Sequence, residues 1–282
     1  MDTQTFFSPA KINLFFRVLY RRHDGFHEIA SVYQAISLGD TFTIALAEED
    51  QLTSSDPFLL CDQSNLVFRS LDVFRRYTGY RFCVHMHLKK QIPMESGLGG
   101  GSSNAATAMW ALNGLFNHLI PIKELSSWVG EFSSDAPFFF SKGTAYCQGR
   151  GELIKEIPAM EPIRLWIAKP QMGLSTPLVY QHCRPEQFLP RDPDQSLAQL
   201  LQQEACYFND LEIPAFALQP ELITLKQELL QLGFTHVTMT GSGTAFFCVG
   251  SMREPQLPGV SFYPVSFHFR SNENWYPFSN EE

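Results

Sequence analysis

A chain of 282 residues is long enough for one large domain or two ordinary ones with real cores. Hydrophobic residues make up 44% and charged residues 18%, the balance of a folded protein rather than a disordered one. A formal net charge of −8 argues against a broad nucleic-acid or membrane footprint, so an anionic ligand must be held by a local basic or amide-rich site.

The opening segment, MDTQTFFSPAKINLFF, has no basic leader and is interrupted by Lys11, so it does not read as a signal peptide, and a cytoplasmic location is expected. Residues 11–19 and 28–37 have strand character, separated by the turn-rich YRRHDGFHE with its Asp24-Gly25 pair. TFTIAL (41–46) and RFCVHMHL (81–88) alternate as strands do. His85 and His87 share one face of the second of these, but no third ligand is near them and no metal site is expected. Between them, residues 65–77 carry Leu66, Val67, Leu71, Val73 and Phe74 at helical spacing. Ala105, Met109, Leu112 and Leu115 predict one apolar helix face after a glycine loop, with Ser102 or Ser103 placed to cap its start. Residues 123–132 read as another helix.

The Pro-containing link IPAMEP (157–162) marks the expected boundary between two α+β domains, 1–160 and 161–282. Beyond it lie a strand at 163–170, helices near 195–206 and 221–232, a hairpin at 236–250 and a last strand near 260–269. The tail SNENWYPFSNEE is polar and expected to be loose. Apolar runs such as 138–140 and 165–168 are far too short to cross a bilayer, so no membrane partner is expected. The six cysteines contain no C-x-x-C pair and read as free thiols in a reducing compartment.

The chemistry concentrates in IPMESGLGGGSSNAA, residues 92–106. Bare backbone just ahead of a helix makes an anion site from free N–H groups and the helix N-terminus. No Lys follows the glycines, which excludes a Walker A loop. The dinucleotide fingerprint fails at its third glycine, where Ser102 stands, and lacks its downstream acidic residue. What survives is P-x-x-x-G-L-G, then serines, then small residues opening a helix.

Residues 93–103, Pro93-Met94-Glu95-Ser96-Gly97-Leu98-Gly99-Gly100-Gly101-Ser102-Ser103, resemble the central motif of the GHMP kinases (galactokinase, homoserine kinase, mevalonate kinase, phosphomevalonate kinase). The longer G-L-G-G-G-S-S-N-A-A form resembles the branch whose acceptor is a cytidine diphosphate-linked polyol. Four other segments resemble the family in order: Ser8-Pro9-Ala10-Lys11-Ile12-Asn13-Leu14, the stretch Arg22 to Ile29, Asn209-Asp210-Leu211-Glu212, and Met239-Thr240-Gly241-Ser242-Gly243.

The resemblance implies an N-terminal domain like the second domain of ribosomal protein S5, a ferredoxin-like C-terminal domain, and a site between them for ATP and Mg2+. It implies ATP contacts from Asn65, Pro93, Gly97, Leu98, Gly99, Gly100, Gly101, Ser102 and Ser103. The two serines read equally as helix caps, and Asn65 as the cap of the 65–77 helix. A kinase needs a base for the attacking alcohol and charge stabilisation for the transferred group. The resemblance puts the base at Asp135 and its partner at Lys11. From the residues alone, Asp135 ahead of Pro137 reads as a helix cap, whereas a lone Lys11 in an apolar strand is costly unless paired. Phe26 and His27 match the aromatic–histidine pair that recognises cytosine, with Tyr180 as a second stacking face and Asn13 helping to place the substrate. Glu95 stands where the family has a small residue, and its side chain is expected to point away from the phosphates or to reach a cation. Two other readings stay open at this point: a sister kinase acting on homoserine or mevalonate, and a nucleotide-binding regulator without turnover. The oligomeric state is not legible.

Overall fold

The computed structural model describes residues 3–250 and 253–278. Its strands are β1 (Gln4–Arg21), β2 (His27–Ala47), β3 (Gln51–Ser54), β4 (Cys83–Lys89), β5 (Thr144–Gly149), β6 (Leu153–Glu156), β7 (Arg164–Pro170), β8 (Phe208–Asn209), β9 (His236–Met239), β10 (Phe246–Val249) and β11 (Val260–Ser266). The helices are α1 (Leu66–Thr78), α2 (Gly100–Leu115), α3 (Ile122–Gly130), α4 (Thr176–His182), α5 (Pro193–Leu201), α6 (Glu212–Leu218) and α7 (Glu221–Gln231), with a short 3-10 turn at Ala136–Phe140.

β1 and β2 form a long antiparallel hairpin. Asp24 closes the turn by accepting the Phe26 amide at 3.1 Å, as an Asx turn does. Both strands are longer than the sequence suggests. β2 runs straight through 38–40, with Gly39 opposite Pro9, and β1 crosses Pro9 at a register shift, where a residue without an N–H is tolerated. This length lets β2 pair twice on its other edge: Thr41–Ala47 with β4 and Ile29–Gln34 with β5. β3 lies parallel to β4, β6 pairs with β5, and β8 adds in parallel to β1, giving a seven-stranded sheet.

α1 and α2 pack on this sheet. Asn65 caps α1 by accepting the Val67 amide, and Gly79 ends it in the left-handed conformation. α2 is buried all round from Ser103 to Asn113 rather than on one face. Its alanines let β1, α1 and the 3-10 turn approach from several sides. The second sheet is antiparallel, in the order β11-β7-β10-β9, and packs against α4, α6 and α7.

The two halves interlock. Asp210, just after β8, accepts from Arg17 Nη1 at 2.7 Å and from the Val18 amide at 2.9 Å, fastening the second half to β1. The tail is not loose up to residue 278. Trp275 and Tyr276 are buried in the first core, Trp275 stacks on Trp110 at 5.3 Å, and its indole donates to Phe7 O at 2.9 Å. Two aromatic rings in a polar segment supplied enough apolar surface to dock it.

Candidate active site

The glycine loop fills the gap between β4 and α2, and β1 carries it: the Lys11 amide donates to Leu98 O at 2.9 Å. Across the domains it meets the β9–β10 turn. The Ala245 amide donates to Ser96 O at 3.2 Å, and a Cβ on Gly243 would sit 2.1 Å from Gly97 N. Only bare backbone on both sides permits that approach. α2 starts at Gly100, with Gly99 as its cap residue in the left-handed conformation and no side-chain cap bond. Ser102 and Ser103 therefore sit inside the first turn and do not cap it, because Gly100 and Gly101 are themselves helical. Ser102 lines the cleft and accepts from Ser133 Oγ at 2.9 Å. Ser103 is fully buried against the Ser8 hydroxyl at 2.9 Å and does not reach the cleft surface. Glu95 takes a φ of +52° and turns its carboxylate toward Gly173 on the opposite domain, within the field of Lys169.

Beneath the loop lies a charged group in an otherwise apolar strand. Lys11 is 2% exposed, and its ammonium donates to Asn13 Oδ1 at 2.8 Å and stands 3.6 Å from Asp135 Oδ2. Burial pulls the Lys11 pKa below its ordinary 10.5, and the carboxylate of Asp135 opposes that shift. Asp135 heads the 3-10 turn, but its side chain makes no cap bond there. Its Oδ1 accepts from the Tyr33 hydroxyl at 3.0 Å. Asn13 is fully buried and does not line the cleft. Its amide donates to Ser31 Oγ at 3.0 Å, and its backbone N–H donates to Thr240 Oγ1 at 3.1 Å.

These residues face one cleft of about 980 Å³. Lys11, Asp135, Asn65, Pro93, Gly97 to Ser102, Phe26, His27 and Tyr180 all line it, so most residues singled out from sequence converge although they are spread over 170 positions. Asn65 lines the cleft while also capping α1. At the other end, Tyr180 packs on His27 with ring centroids 5.3 Å apart, and the Arg150 guanidinium lies 4.9 Å over the half-exposed Phe26 ring. The Nε2 atom of His27 is buried and has no hydrogen-bond partner among the described residues. Burial, with Arg21 and Arg184 nearby, lowers the His27 pKa and favours a neutral ring. Sequence reading missed Tyr33 and Arg150. A tyrosine in a buried strand looks like core, and Arg150 sits in a β5–β6 turn where a charged residue needs no special reason. Among the described residues no three His, Cys, Asp or Glu side chains gather into a metal site.

A glycine loop over a buried lysine paired with a partly exposed aspartate, set between two α+β units, defines a GHMP-type small-molecule kinase. Residues 65–143 match the family model "GHMP kinases N terminal domain", and 191–256 match "GHMP kinases C terminal". The chain is 47% identical to the 4-diphosphocytidyl-2-C-methyl-D-erythritol kinase of Protochlamydia amoebophila, over 96% of this chain and 92% of that one. It is 40% identical to the chloroplastic enzyme of that name from Mentha piperita, over 99% of this chain and 74% of the relative. A crystal structure titled 4-(cytidine 5'-diphospho)-2C-methyl-D-erythritol kinase superposes with a TM-score of 0.78 at 31% identity, covering 93% of this chain and 98% of that one. Homoserine kinase from Cytophaga hutchinsonii shares the fold, with a TM-score of 0.71 at 14% identity, covering 95% of each chain. The chain belongs to the 4-diphosphocytidyl-2-C-methyl-D-erythritol kinase family.

Proposed function

We propose that this protein transfers the γ-phosphoryl group of ATP to the 2-hydroxyl of 4-diphosphocytidyl-2-C-methyl-D-erythritol, giving the 2-phosphate and ADP, in the non-mevalonate route to isoprenoid precursors. The observation that carries the reading is the convergence, in one cleft, of the glycine loop, the Lys11–Asp135 pair and the Phe26–His27–Tyr180 wall.

In this reading the amides of the glycine loop and the start of α2 hold the ATP phosphates, replacing lost water with oriented N–H groups. Asn65 meets the adenine while keeping α1 capped. Asp135 accepts the hydroxyl proton as the substrate oxygen attacks the γ-phosphorus and the bond to the β-phosphate oxygen breaks. Lys11 offsets the charge on the carboxylate and on the moving phosphoryl group, and Asn13 acts through Lys11 by fixing its ammonium. Phe26 and Tyr180 provide stacking faces for cytosine, worth roughly 1–3 kcal/mol per face by analogy with base–aromatic stacking. The unpaired Nε2 of His27 supplies a hydrogen bond to the base edge. The Ser102 hydroxyl in the cleft wall is an oxygen of the right kind to help hold Mg2+, which would offset phosphate charge and would take most of its ligands from ATP and water. No helix among the described residues is long and apolar enough to cross a membrane, and all six cysteines are free thiols, which suits a reducing cytoplasm.

The test is to incubate the protein with Mg-ATP and, separately, 4-diphosphocytidyl-2-C-methyl-D-erythritol, homoserine and mevalonate, following product mass. A gain of one phosphoryl group with the cytidyl substrate alone is expected. Tight ATP binding without phosphorylation of any of the three would contradict the proposal and favour a nucleotide sensor.

A further inference from the structure

Tyr33 lies at the centre of β2, opposite Asn13 of β1 and Ala145 of β5, and is 1% exposed. Its ring is fixed on two sides. Phe138, in the same 3-10 turn that follows Asp135, meets it edge-on at 5.4 Å, and the Lys11 ammonium lies 4.9 Å over its face. The hydroxyl donates to Asp135 Oδ1 at 3.0 Å, while Oδ2, the other oxygen, faces Lys11 at 3.6 Å. Gly151 closes the surroundings: a Cβ there would fall 2.9 Å from the Tyr33 hydroxyl and 3.2 Å from Oδ1, so the hydrogen bond exists in space that a side chain at 151 would take.

We propose that Tyr33 is a positioning residue for the general base, tying down Oδ1 of Asp135 so that Oδ2 is presented to the alcohol beside Lys11. This rests on the reading of Asp135 as the base. The physical need is plain. A carboxylate 3.6 Å from a buried ammonium is drawn toward it, and a closer pair would turn the Oδ2 lone pairs to the ammonium and away from the substrate hydroxyl. A second, rigid donor on Oδ1 holds the carboxylate at a distance where it feels the ammonium without collapsing onto it. Burial, and then the neighbouring Asp135 charge, push the Tyr33 phenol well above its usual range, which favours the protonated, donating hydroxyl.

The experiment compares the unaltered protein with Tyr33→Phe, Asp135→Asn and the double variant, using Mg-ATP and the cytidyl substrate. Tyr33→Phe removes one oxygen and keeps the ring. It is expected to lower kcat by about 10- to 100-fold, the range for a lost hydrogen bond to a charged group, with both KM values within about twofold. In the Asp135→Asn background the same change is expected to cost nothing further, because the two act as one unit. A merely structural role would instead lower the unfolding midpoint and move kcat in both backgrounds alike. An unchanged kcat in Tyr33→Phe, with Asp135→Asn inactive, would overturn this inference alone. Full activity in Asp135→Asn would overturn the base assignment and this inference with it.

Discussion

Lys11 carries a charge into a strand whose neighbours are Ala10, Ile12 and Leu14, all fully buried, and such a group persists only where partners compensate its desolvation. Asn13, Asp135 and the Tyr33 face supply that compensation incompletely, since burial still wins and the pKa falls below 10.5. Two consequences follow with their signs fixed. If the protonated amine is the working form, the alkaline limb of the kcat/KM profile should begin below the ordinary lysine value, and Lys11→Met should abolish activity rather than move the limb. For stability, the unfolded chain holds the Lys11 proton up to about 10.5 while the folded chain releases it earlier. In that window the unfolded state binds more protons, so stability contributed by this site rises with pH, and below it the cost of burying the charge is fully present. Urea unfolding of wild type and Lys11→Met across pH 8 to about 10.5 measures the difference. A parallel pH dependence in the two proteins would show that Lys11 is not buried as a charge. Lys11 was legible as a site residue because an isolated cation in an apolar run demands an explanation. Tyr33 was not, because its partner lies 102 positions away and nothing local distinguishes it from core.

Among the elements, the glycine loop and the β9–β10 turn have to be considered together. Gly243 does not need an unusual φ, so its replacement tests contact alone: its added Cβ would meet Gly97 N and Ser96 C, each at 2.1 Å. Gly243→Ala should push the phosphate loop off the second domain, raising the KM for ATP at least tenfold and costing about 1–3 kcal/mol of stability, the usual range for overpacking. Steady-state kinetics and thermal unfolding check both, and an unaltered KM would mean that the loop does not depend on this seam. The contact also shows which parts of an element sequence can predict. α1 announces itself through Asn65 and Gly79, local signals that the structure uses as such. The start of α2 misleads, because serines after glycines look like caps until the glycines are found to be helical. The join of residues 28–37 to 41–46 into β2 depends on pairing with Pro9 and β4, which no window of that length contains.

At the scale of the whole molecule, the chain crosses between its two halves more than once. β8 returns to the first sheet, and residues 267–276 return to the first core after β11 is complete. β1 to β6 precede residue 160 and β7 and β9 to β11 follow it, with β8 as the strand that goes back, and the tail's docking is tertiary and leaves little local trace in a polar segment. Arg270 donates to Ser141 O at 2.7 Å and to Phe140 O, the end of the turn that begins after Asp135. Trp275 meets Phe140 edge-on at 5.4 Å. Trp275→Ala should therefore destabilise the first domain by about 3–5 kcal/mol, the range for truncating a buried tryptophan, as read from denaturant unfolding. A change below about 1 kcal/mol would place the ring at the surface instead.

The central claim is that phosphoryl transfer takes place where the Lys11–Asp135 pair meets the glycine loop. Single-turnover transfer from Mg-ATP to the cytidyl substrate, with enzyme in excess and both ligands bound, tests it most directly in wild type and Asp135→Asn. The expected result is a rate lower by about 10²- to 10⁴-fold, the usual contribution of a general base, with binding of both ligands retained. A rate within a few-fold of wild type would contradict the account and move the chemistry to another part of the cleft.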